Sequence, residues 1–567
     1  MREISKHFFL LAALVASISF TAFSQSDSAI TIADSAQKVA PNNWHQLDKG
    51  ETGYYGISLG KAYEFLKNRR SKTVVVAVID SGIDTLHEDL KPILWNNPGE
   101  IAGNGIDDDK NGYVDDIYGW NFIGAKDGRN VKEDSYEGAR VYWNLKPKYE
   151  DKVMDTTKMS AIEKVEYATY LRAKENVVGG GNPTELLMMQ RILPVIERGD
   201  SIIAKDLGKT EFNGNDLKAY TPTLPDAKTA TAIYLNICRL NNSYDITNEQ
   251  ILGDLRGQVR KGKSATTPPE DFRGDIVKDN YNDISDRYYG NSDVMAGTPS
   301  HGTHCAGIIG AVRNNEKGMK GIADNVKIMM IRAVPDGDEH DKDIANAIRY
   351  AVDNGAKIIS MSFGKSFSPQ KSWVDDAVKY AQSKDVLLVH AAGNDAKNID
   401  SAFNFPTPVY VNNTERAKNY ITVGASGDAT NGGFTASFSN YGKKEVDVFA
   451  PGVNIYSTLP GGDKYGSMSG TSMAAPVVAG LGALILEYFP NLSAEQIKYV
   501  IEKSVTPINE KVELPGGDEL VSLADISKTG GEINAYAAVK LAATLKGERD
   551  TKKGRLPKSK VKHKKRG

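Results

Sequence analysis

The chain has 567 residues, 70 Lys+Arg against 72 Asp+Glu, with 40% hydrophobic and 25% charged residues, as in a soluble globular protein with ample core. A net charge of -2 argues against nucleic acid as the main partner, which demands a basic surface. Two cysteines, Cys238 and Cys305, exclude a disulfide framework and any clustered thiolate metal site.

The first predicted element is an export signal. Arg2 and Lys6 precede the apolar run Phe8–Ala16, which trails off through Phe20, and Ala22-Phe23-Ser24 offers small residues to a signal peptidase. Residues 1–24 are therefore expected to be removed, cut after Ser24, and the protein to be secreted, periplasmic or on the cell surface. The run is short for a membrane anchor. No later charge-free stretch of that length is read from the sequence, so no transmembrane span is expected.

Residues 25–70 are polar, with a helical patch near Leu59–Phe65. The stretch Trp44–Leu66 reads as an N-terminal arm packing on the core. Thr73–Ile79 is a continuous β-branched run, the mark of a parallel strand buried on both faces. Further on, Val326–Val334, Lys357–Met361 and Val386–His390 read as strands. Between them, Ile344, Ile348, Ala351 and Val352, then Trp373, Ala377, Val378 and Ala381, fall at helical spacing. This alternation predicts an α/β fold with a doubly wound, mostly parallel sheet.

Residues 126–297 interrupt the pattern. Helical patches (Ile162, Val165, Leu171; Leu186–Ile196), the break Gly179-Gly180-Gly181 and the segment Thr267-Pro268-Pro269 predict a large, mainly helical insertion with its own small core. From Lys546 to Gly567 there are eleven Lys/Arg against two Asp/Glu and almost no apolar residues. That segment, 546–567, is expected to be a disordered basic tail that either touches an anionic cell surface or aids solubility.

Three motifs carry chemistry. Asp80 in Val78-Ile79-Asp80-Ser81-Gly82 follows the buried strand, so its carboxylate emerges at the carboxyl end of the sheet, where open α/β folds bind ligands. His301-Gly302-Thr303-His304-Cys305-Ala306-Gly307 has small residues after the His, as where a helix starts and packs closely. Gly470-Thr471-Ser472-Met473-Ala474-Ala475-Pro476 opens an apolar helix, whose first N–H groups can face a developing oxyanion. One Asp, one His and one Ser are the parts of a nucleophilic triad.

In the order Asp, His, Ser, these blocks resemble the subtilisin-like serine peptidases, over roughly residues 70–125 and 285–505. The resemblance implies that 71–125 and 298–545 form the peptidase domain. Ser472 would then be the nucleophile, His301 the general base and Asp80 its orienting partner, while His304 is the family's second His and not the base. Asn394, in Ala391-Ala392-Gly393-Asn394, matches the oxyanion-hole amide. Ser362-Phe363-Gly364, with Ala392 and Gly393, resembles the segments that hold an extended substrate. Cys305 follows His304 as in the proteinase K branch and reads as a buried small hydrophobe. The implied function is an exported serine endopeptidase acting on proteins or peptides through an acyl-enzyme, with no catalytic cofactor.

Three rival readings compete with this one. A pseudopeptidase that binds without cutting is disfavoured by the complete motif set. An esterase would show Gly-x-Ser-x-Gly and the order Ser, Asp, His. An adhesive or processing surface protein on the same fold stays open as an added role. The chain departs from compact family members in the separation of Asp80 and His301, which stand 221 residues apart, and residues 25–70 are short for an inhibitory propeptide.

A bound ion is also predicted. Asn104–Asp116 sets Asp107, Asp109 and Asn111 at alternate positions before Gly112, which permits a sharp turn, with Asp115 or Asp116 closing the shell. Position 12 falls on Tyr118, so this is not an EF-hand. Five carboxylates within ten residues repel one another unless a cation intervenes. The expected ion is structural calcium.

Overall fold

The computed structural model describes residues 40–179, 183–240, 244–411, 415–428 and 433–549. The signal segment 1–24, most of the arm before Pro41 and the tail from Asp550 lie outside the described residues. The chain divides into two compact units, residues 135–270 and residues 41–134 with 271–549.

The larger unit is built on a nine-stranded sheet. Its strands are β1 (Val74–Asp80), β2 (Gly119–Asn121), β3 (Val326–Arg332), β4 (Ile358–Met361), β5 (Leu387–Ala391), β6 (Tyr420–Ser426), β7 (Val448–Pro451) and two short strands, Thr506–Pro507 and Gly531–Glu532. From one edge the order runs 506–507, 531–532, β7, β6, β5, β4, β1, β3, β2. Every pairing is parallel except that between the two short strands. The register puts Val76 beside Ile328 and Ile358, so β-branched side chains stack from strand to strand. Burial of β4, β5 and β6 on both faces explains why apolar residues dominate them without alternation, interrupted only by the buried Ser360, His390, Thr422 and Ser426.

Helices Asp341–Asp353 and Lys371–Ser383 cover one face, joined to β3, β4 and β5 in the predicted alternation. Helices Ser300–Gly310 and Thr471–Tyr488 are buried almost throughout their length and pack on each other. The second corrects the reading that no later stretch rivals the signal in length and apolarity. Among the described residues, Thr471–Tyr488 alone is long and apolar enough to cross a membrane, but it lies inside the fold. Its hydrophobicity on every side is that of a helix enclosed by a sheet and other helices.

The N-terminal segment 41–66 packs on this unit. Trp44 is buried and donates from Nε1 to the Val453 carbonyl (3.2 Å), while Ala535 N–H donates to the Ile57 carbonyl (2.7 Å). At the other end, residues 546–549 are part of the fold rather than of a disordered tail. Gln496 Nε2 donates to the Lys546 carbonyl (2.8 Å), and Arg549 donates to the Leu492 carbonyl (2.9 Å) and pairs with Asp385 (3.1 Å). Composition alone could not separate these four residues from the basic run that follows.

The unit 135–270 contains helices Glu137–Tyr149, Ala161–Lys174, Pro183–Leu207, Gly214–Lys218, Pro225–Leu240 and Asn248–Lys263. Ser160 with Glu163, Asn213 with Asp216, and Thr247 with Gln250 form capping boxes that set three of the helix starts. Its core joins Ile196, Ile203, Phe212, Tyr234, Leu252 and Val259.

Candidate active site

The predicted triad residues lie at the carboxyl end of the sheet and at two helix starts. Asp80 is the last residue of β1 and is almost fully buried. It is held by the Ser81 N–H, which donates to its Oδ1 (2.7 Å). His301 is the second residue of helix Ser300–Gly310, and its Nδ1 lies 2.8 Å from Oδ1 and 3.0 Å from Oδ2 of Asp80. A carboxylate so placed makes Nδ1 the protonated nitrogen and leaves the Nε2 lone pair outward. Burial disfavours the imidazolium, but Asp80 outweighs it and raises the His301 pKa above the usual 6.5.

Ser472 is the second residue of helix Thr471–Tyr488. Its Oγ donates to the Ser362 carbonyl (3.2 Å), and the Ser362 hydroxyl donates to the Ser472 carbonyl (2.8 Å). The structure thus ties Ser472 to the predicted substrate segment, with its hydroxyl turned to Ser362 rather than to the imidazole. Cys305 spans the two sides, its Sγ 4.0 Å from His301 Nδ1 and 3.4 Å from the Ser472 carbonyl. Burial raises the Cys305 thiol pKa, so it acts here as a small neutral wedge. His304 is buried, bonded through Nε2 to the Gly466 carbonyl (3.1 Å), and pushed down to about 3 by burial.

Asn394 sits against the start of the Ser472 helix. Its Oδ1 accepts from Thr471 N–H and from Thr471 Oγ1, both at 2.9 Å. With its oxygen held this way, the amide Nδ2 is the atom left to face solvent. The Thr471 hydroxyl also accepts from Gly393 N–H (3.0 Å), which binds the 392–394 segment to the helix. Ala392 is fully buried, and its carbonyl receives Asn440 Nδ2 (2.9 Å). Phe363 is buried and its carbonyl is bonded to His390 Nε2 (2.7 Å), while Gly364 is exposed. Thr471, Asn440 and Asn404, whose Nδ2 donates to the Ala391 (3.1 Å) and Ala392 (2.9 Å) carbonyls, are supporting residues that motif reading missed. Thr471 lay inside a quoted motif, whereas the two asparagines carry no local signal.

The acidic loop draws part of the expected ion shell together and adds one carboxylate to it. Glu100, Asp109 and Asp116 bring carboxylate oxygens within 4.8 Å of one another. Asn111 donates from Nδ2 to Asp109 (3.3 Å) and to Asp116 (3.0 Å). Asp107 instead accepts from the N–H groups of Asn111 (3.0 Å) and Gly112 (2.9 Å), and Asp115 from those of Gly103, Asn104 and Gly105. Asp107 and Asp115 thus also brace the loop backbone, and Glu100, whose oxygens accept from the Asp108, Asp109 and Asp115 N–H groups, joins the carboxylate cluster. Gly112 adopts φ +97°, the left-handed turn expected of it. Asp116 is buried and its carboxyl is pushed up to about 7, against hydrogen bonds from Tyr350, Asn97 and Asn111.

A strand-end Asp bonded to a helix-start His, with a helix-start Ser close by, defines a serine-peptidase type of site on a parallel α/β sheet. The family model for the subtilase family matches residues 71–522, and the chain belongs to that family. It is 40% identical over 240 residues to a thermophilic serine proteinase of Bacillus sp. (strain AK1), covering 42% of this chain and 53% of that protein. To thermitase of Thermoactinomyces vulgaris it is 37% identical, covering 46% of this chain and 85% of thermitase. To subtilisin BL of Lederbergia lenta it is 36% identical, covering 39% and 77% respectively. The chain thus spans about half the length of the first of these relatives.

Proposed function

We propose that the protein is an exported serine endopeptidase in which Ser472, His301 and Asp80 form the triad. The observation that carries this reading is the 2.8 Å contact of His301 with Asp80 beside the helix that begins at Thr471. In the reaction, Ser472 Oγ rotates from the Ser362 carbonyl toward His301 Nε2, gives up its proton there and attacks the peptide carbonyl. His301 then hands that proton to the leaving amine, and water repeats the cycle on the acyl-enzyme. Asp80 holds the ring and stabilises the imidazolium.

The oxyanion is met by Asn394 Nδ2 and by the Ser472 N–H, one of the first-turn donors without a partner within its helix. Thr471 fixes the direction of the Asn394 amide before substrate arrives. Segments 362–364 and 392–394 hold the extended substrate, with Ser362, Phe363 and Gly364 on one side and Ala392 and Gly393 on the other. Proteins or peptides are the substrates.

Calcium is assigned a bracing role in the loop of Asp107, Asp109, Asn111, Asp115 and Asp116, with Glu100 beside it. Three clustered carboxylates, one of them buried, fit a hard divalent cation. Bound to the native state alone, the ion would add stability against self-digestion and play no part in the chemistry. The sequence of residues 1–24 supports export. The basic run beyond Arg549 supports loose contact with an anionic surface.

The decisive experiment compares wild type with Ser472→Ala on a mixed peptide library, alongside labelling by a sulfonyl fluoride. Cleavage and labelling that both vanish in the variant support the reading. Full cleavage by the variant overturns it, and binding without cleavage by wild type identifies the non-cutting rival.

A further inference from the structure

The chain on either side of residues 135–270 returns to the strand end that carries Asp80. β3 runs between β1 and β2, and its last residue, Arg332, is in register with Asp80 on one side and Asn121 on the other. The Asp80 carbonyl accepts from the Ala333 (3.0 Å) and Val334 (3.3 Å) N–H groups, so the end of β3 holds the main chain of Asp80.

The Arg332 side chain is buried and extends this hold. Its Nε donates to the Ser81 carbonyl (3.0 Å), its Nη1 to Asn121 Oδ1 (3.1 Å) and its Nη2 to the Val131 carbonyl. A guanidinium taken out of water and spent on neutral oxygens is costly to bury. Burial pushes its pKa down to about 10, which leaves it charged at neutral pH. Ser81 is also the residue whose N–H donates to Asp80 Oδ1 (2.7 Å), and its hydroxyl donates to the Thr298 carbonyl (3.0 Å). Val131 precedes residues 135–270, and Gly297 follows them. A Cβ at Gly297, where φ is +72°, would stand 2.5 Å from Arg332 Nη2, so a side chain there would compete with the guanidinium for one place. Asn121 in turn exchanges backbone hydrogen bonds with Asn291 (2.9 and 3.1 Å).

We infer that Arg332 is a positioning residue for the Asp80–His301 pair, a three-way clamp that makes the aim of the Asp80 carboxylate depend on how the chain enters and leaves residues 135–270. This rests on the peptidase reading above. With the planar fork in place, the Ser81 main chain is fixed at both its N–H and its carbonyl, and both Asp80 oxygens face His301 Nδ1. Without the fork, the Ser81 carbonyl is released and the carboxylate drifts from the imidazole. The clamp ends on Ser81, Asn121 and Val131 rather than on segments 362–364 or 392–394, so its loss acts on the chemistry and spares substrate binding.

The test compares full-length wild type with Arg332→Lys, Arg332→Met and Gly297→Ala on one peptide, below the melting temperature of each. Lys keeps the charge and loses the fork. The expected result is a kcat about tenfold lower in Arg332→Lys and about 10²-fold lower in Arg332→Met, the scale of misplacing a catalytic group by up to an ångström, with KM unchanged. Gly297→Ala should change in the same direction. The acid limb of kcat/KM, held above 6.5 by Asp80, should move toward 6.5 in all three, because the carboxylate that raises the His301 pKa loses its aim. Cys305 and His304, the other titratable groups beside His301, are buried on its own helix and keep their places. A purely structural role would lower the melting temperature and leave kcat and the limb where they are. If Arg332→Met does not fold, the other two variants decide. Wild-type kcat and limb in Arg332→Lys overturn the assignment, and so does a loss confined to KM. A wild type that cleaves no peptide overturns the peptidase reading. NMR titration of the His301 imidazole in the same proteins then judges the clamp alone, which fails if wild type and Arg332→Lys share one midpoint.

Discussion

The sheet-based unit and the unit 135–270 bury apolar residues by different rules, and the difference separates chemistry from scaffolding. In the first, β1 and β3 to β6 are enclosed, and the polar residues of the site emerge where strands end and helices begin. In the second, amphipathic helices enclose one modest core and leave Ile162, Val165 and Leu187 largely exposed. Its carboxylates meet local cations, as in Arg198 with Asp226 (2.8 Å), Lys209 with Asp216 (2.6 Å) and Arg256 with Glu197 (2.8 Å). In the sheet-based unit, Asp80 is instead buried against a histidine.

The comparison is broken most directly at the site. Ser472→Ala should lower kcat about 10⁶-fold, a magnitude measured for the nucleophile of subtilisin itself. Its melting temperature should match wild type. A large loss of stability would mean that Ser472 is a structural helix cap.

Core truncation sharpens the contrast. Ile203→Ala and Ile359→Ala each remove a fully buried side chain and should cost about 2–5 kcal/mol of the unit in which they lie. Calorimetry followed by a peptidase assay should show Ile359→Ala losing activity at a lower temperature. Ile203→Ala should shift a separate transition and leave the temperature of inactivation near that of wild type. A single shared transition in both variants would show that the units unfold as one.

The ion tests a narrower part of the sheet-based unit. Chelation should lower its melting temperature and shorten its active lifetime, and calcium should restore both. A protein with Asp109→Ala and Asp116→Asn should lose the calcium response. Equal calcium responses in wild type and the double variant would remove the site.

Protonation gives a smaller and reversible effect. Because Asp80 raises the His301 pKa, activity should rise with pH along a limb centred above 6.5. Stability moves the opposite way. The ion pair adds stability that is complete below pH 6.5 and fades as pH climbs through the raised value. In Asp80→Asn the residual activity should show a limb at lower pH, measured as kcat/KM against pH. The smallest effect is expected at the C-terminus. Truncation after Arg549 should leave peptide hydrolysis and melting unchanged, whereas truncation after Leu545 removes the Arg549–Asp385 pair and should lower the melting temperature by a few degrees.

What the sequence made legible follows from how local each signal is. The strands Val74–Asp80, Ile358–Met361 and Leu387–Ala391 were visible as β-branched or apolar runs, and the helices between them as 3.6-residue stripes. Asp80, His301, Ser472 and Asn394 lie in motifs whose spacing is set by one strand end or one helix start. Asn404 was not legible, because it reaches the Ala391 and Ala392 carbonyls in a segment placed by the pairing of Phe405 with Lys365, about 40 residues away in the chain. Glu100 was missed because it lies before the acidic run and reaches the cluster only once the loop folds back. The enclosed helix Thr471–Tyr488 shows the converse limit, since composition alone cannot tell a buried helix from a membrane span.

The strand order also sets a timetable for folding. Ser81 and Arg332 are joined by a hydrogen bond across 251 residues, because β1 and β3 are paired neighbours in the sheet. A chain emerging from synthesis or export cannot complete this pairing until 332 of its 567 residues are present. Helices 137–149 to 248–263, rich in near-neighbour contacts, can form within that interval. Once compact, they shorten the loop that remains to be closed, and each halving of its length recovers about 0.6 kcal/mol of closure entropy. His301 and Ser472 reach Asp80 only afterwards, so the nascent chain carries its hydrolytic residues apart until most of its length has been made.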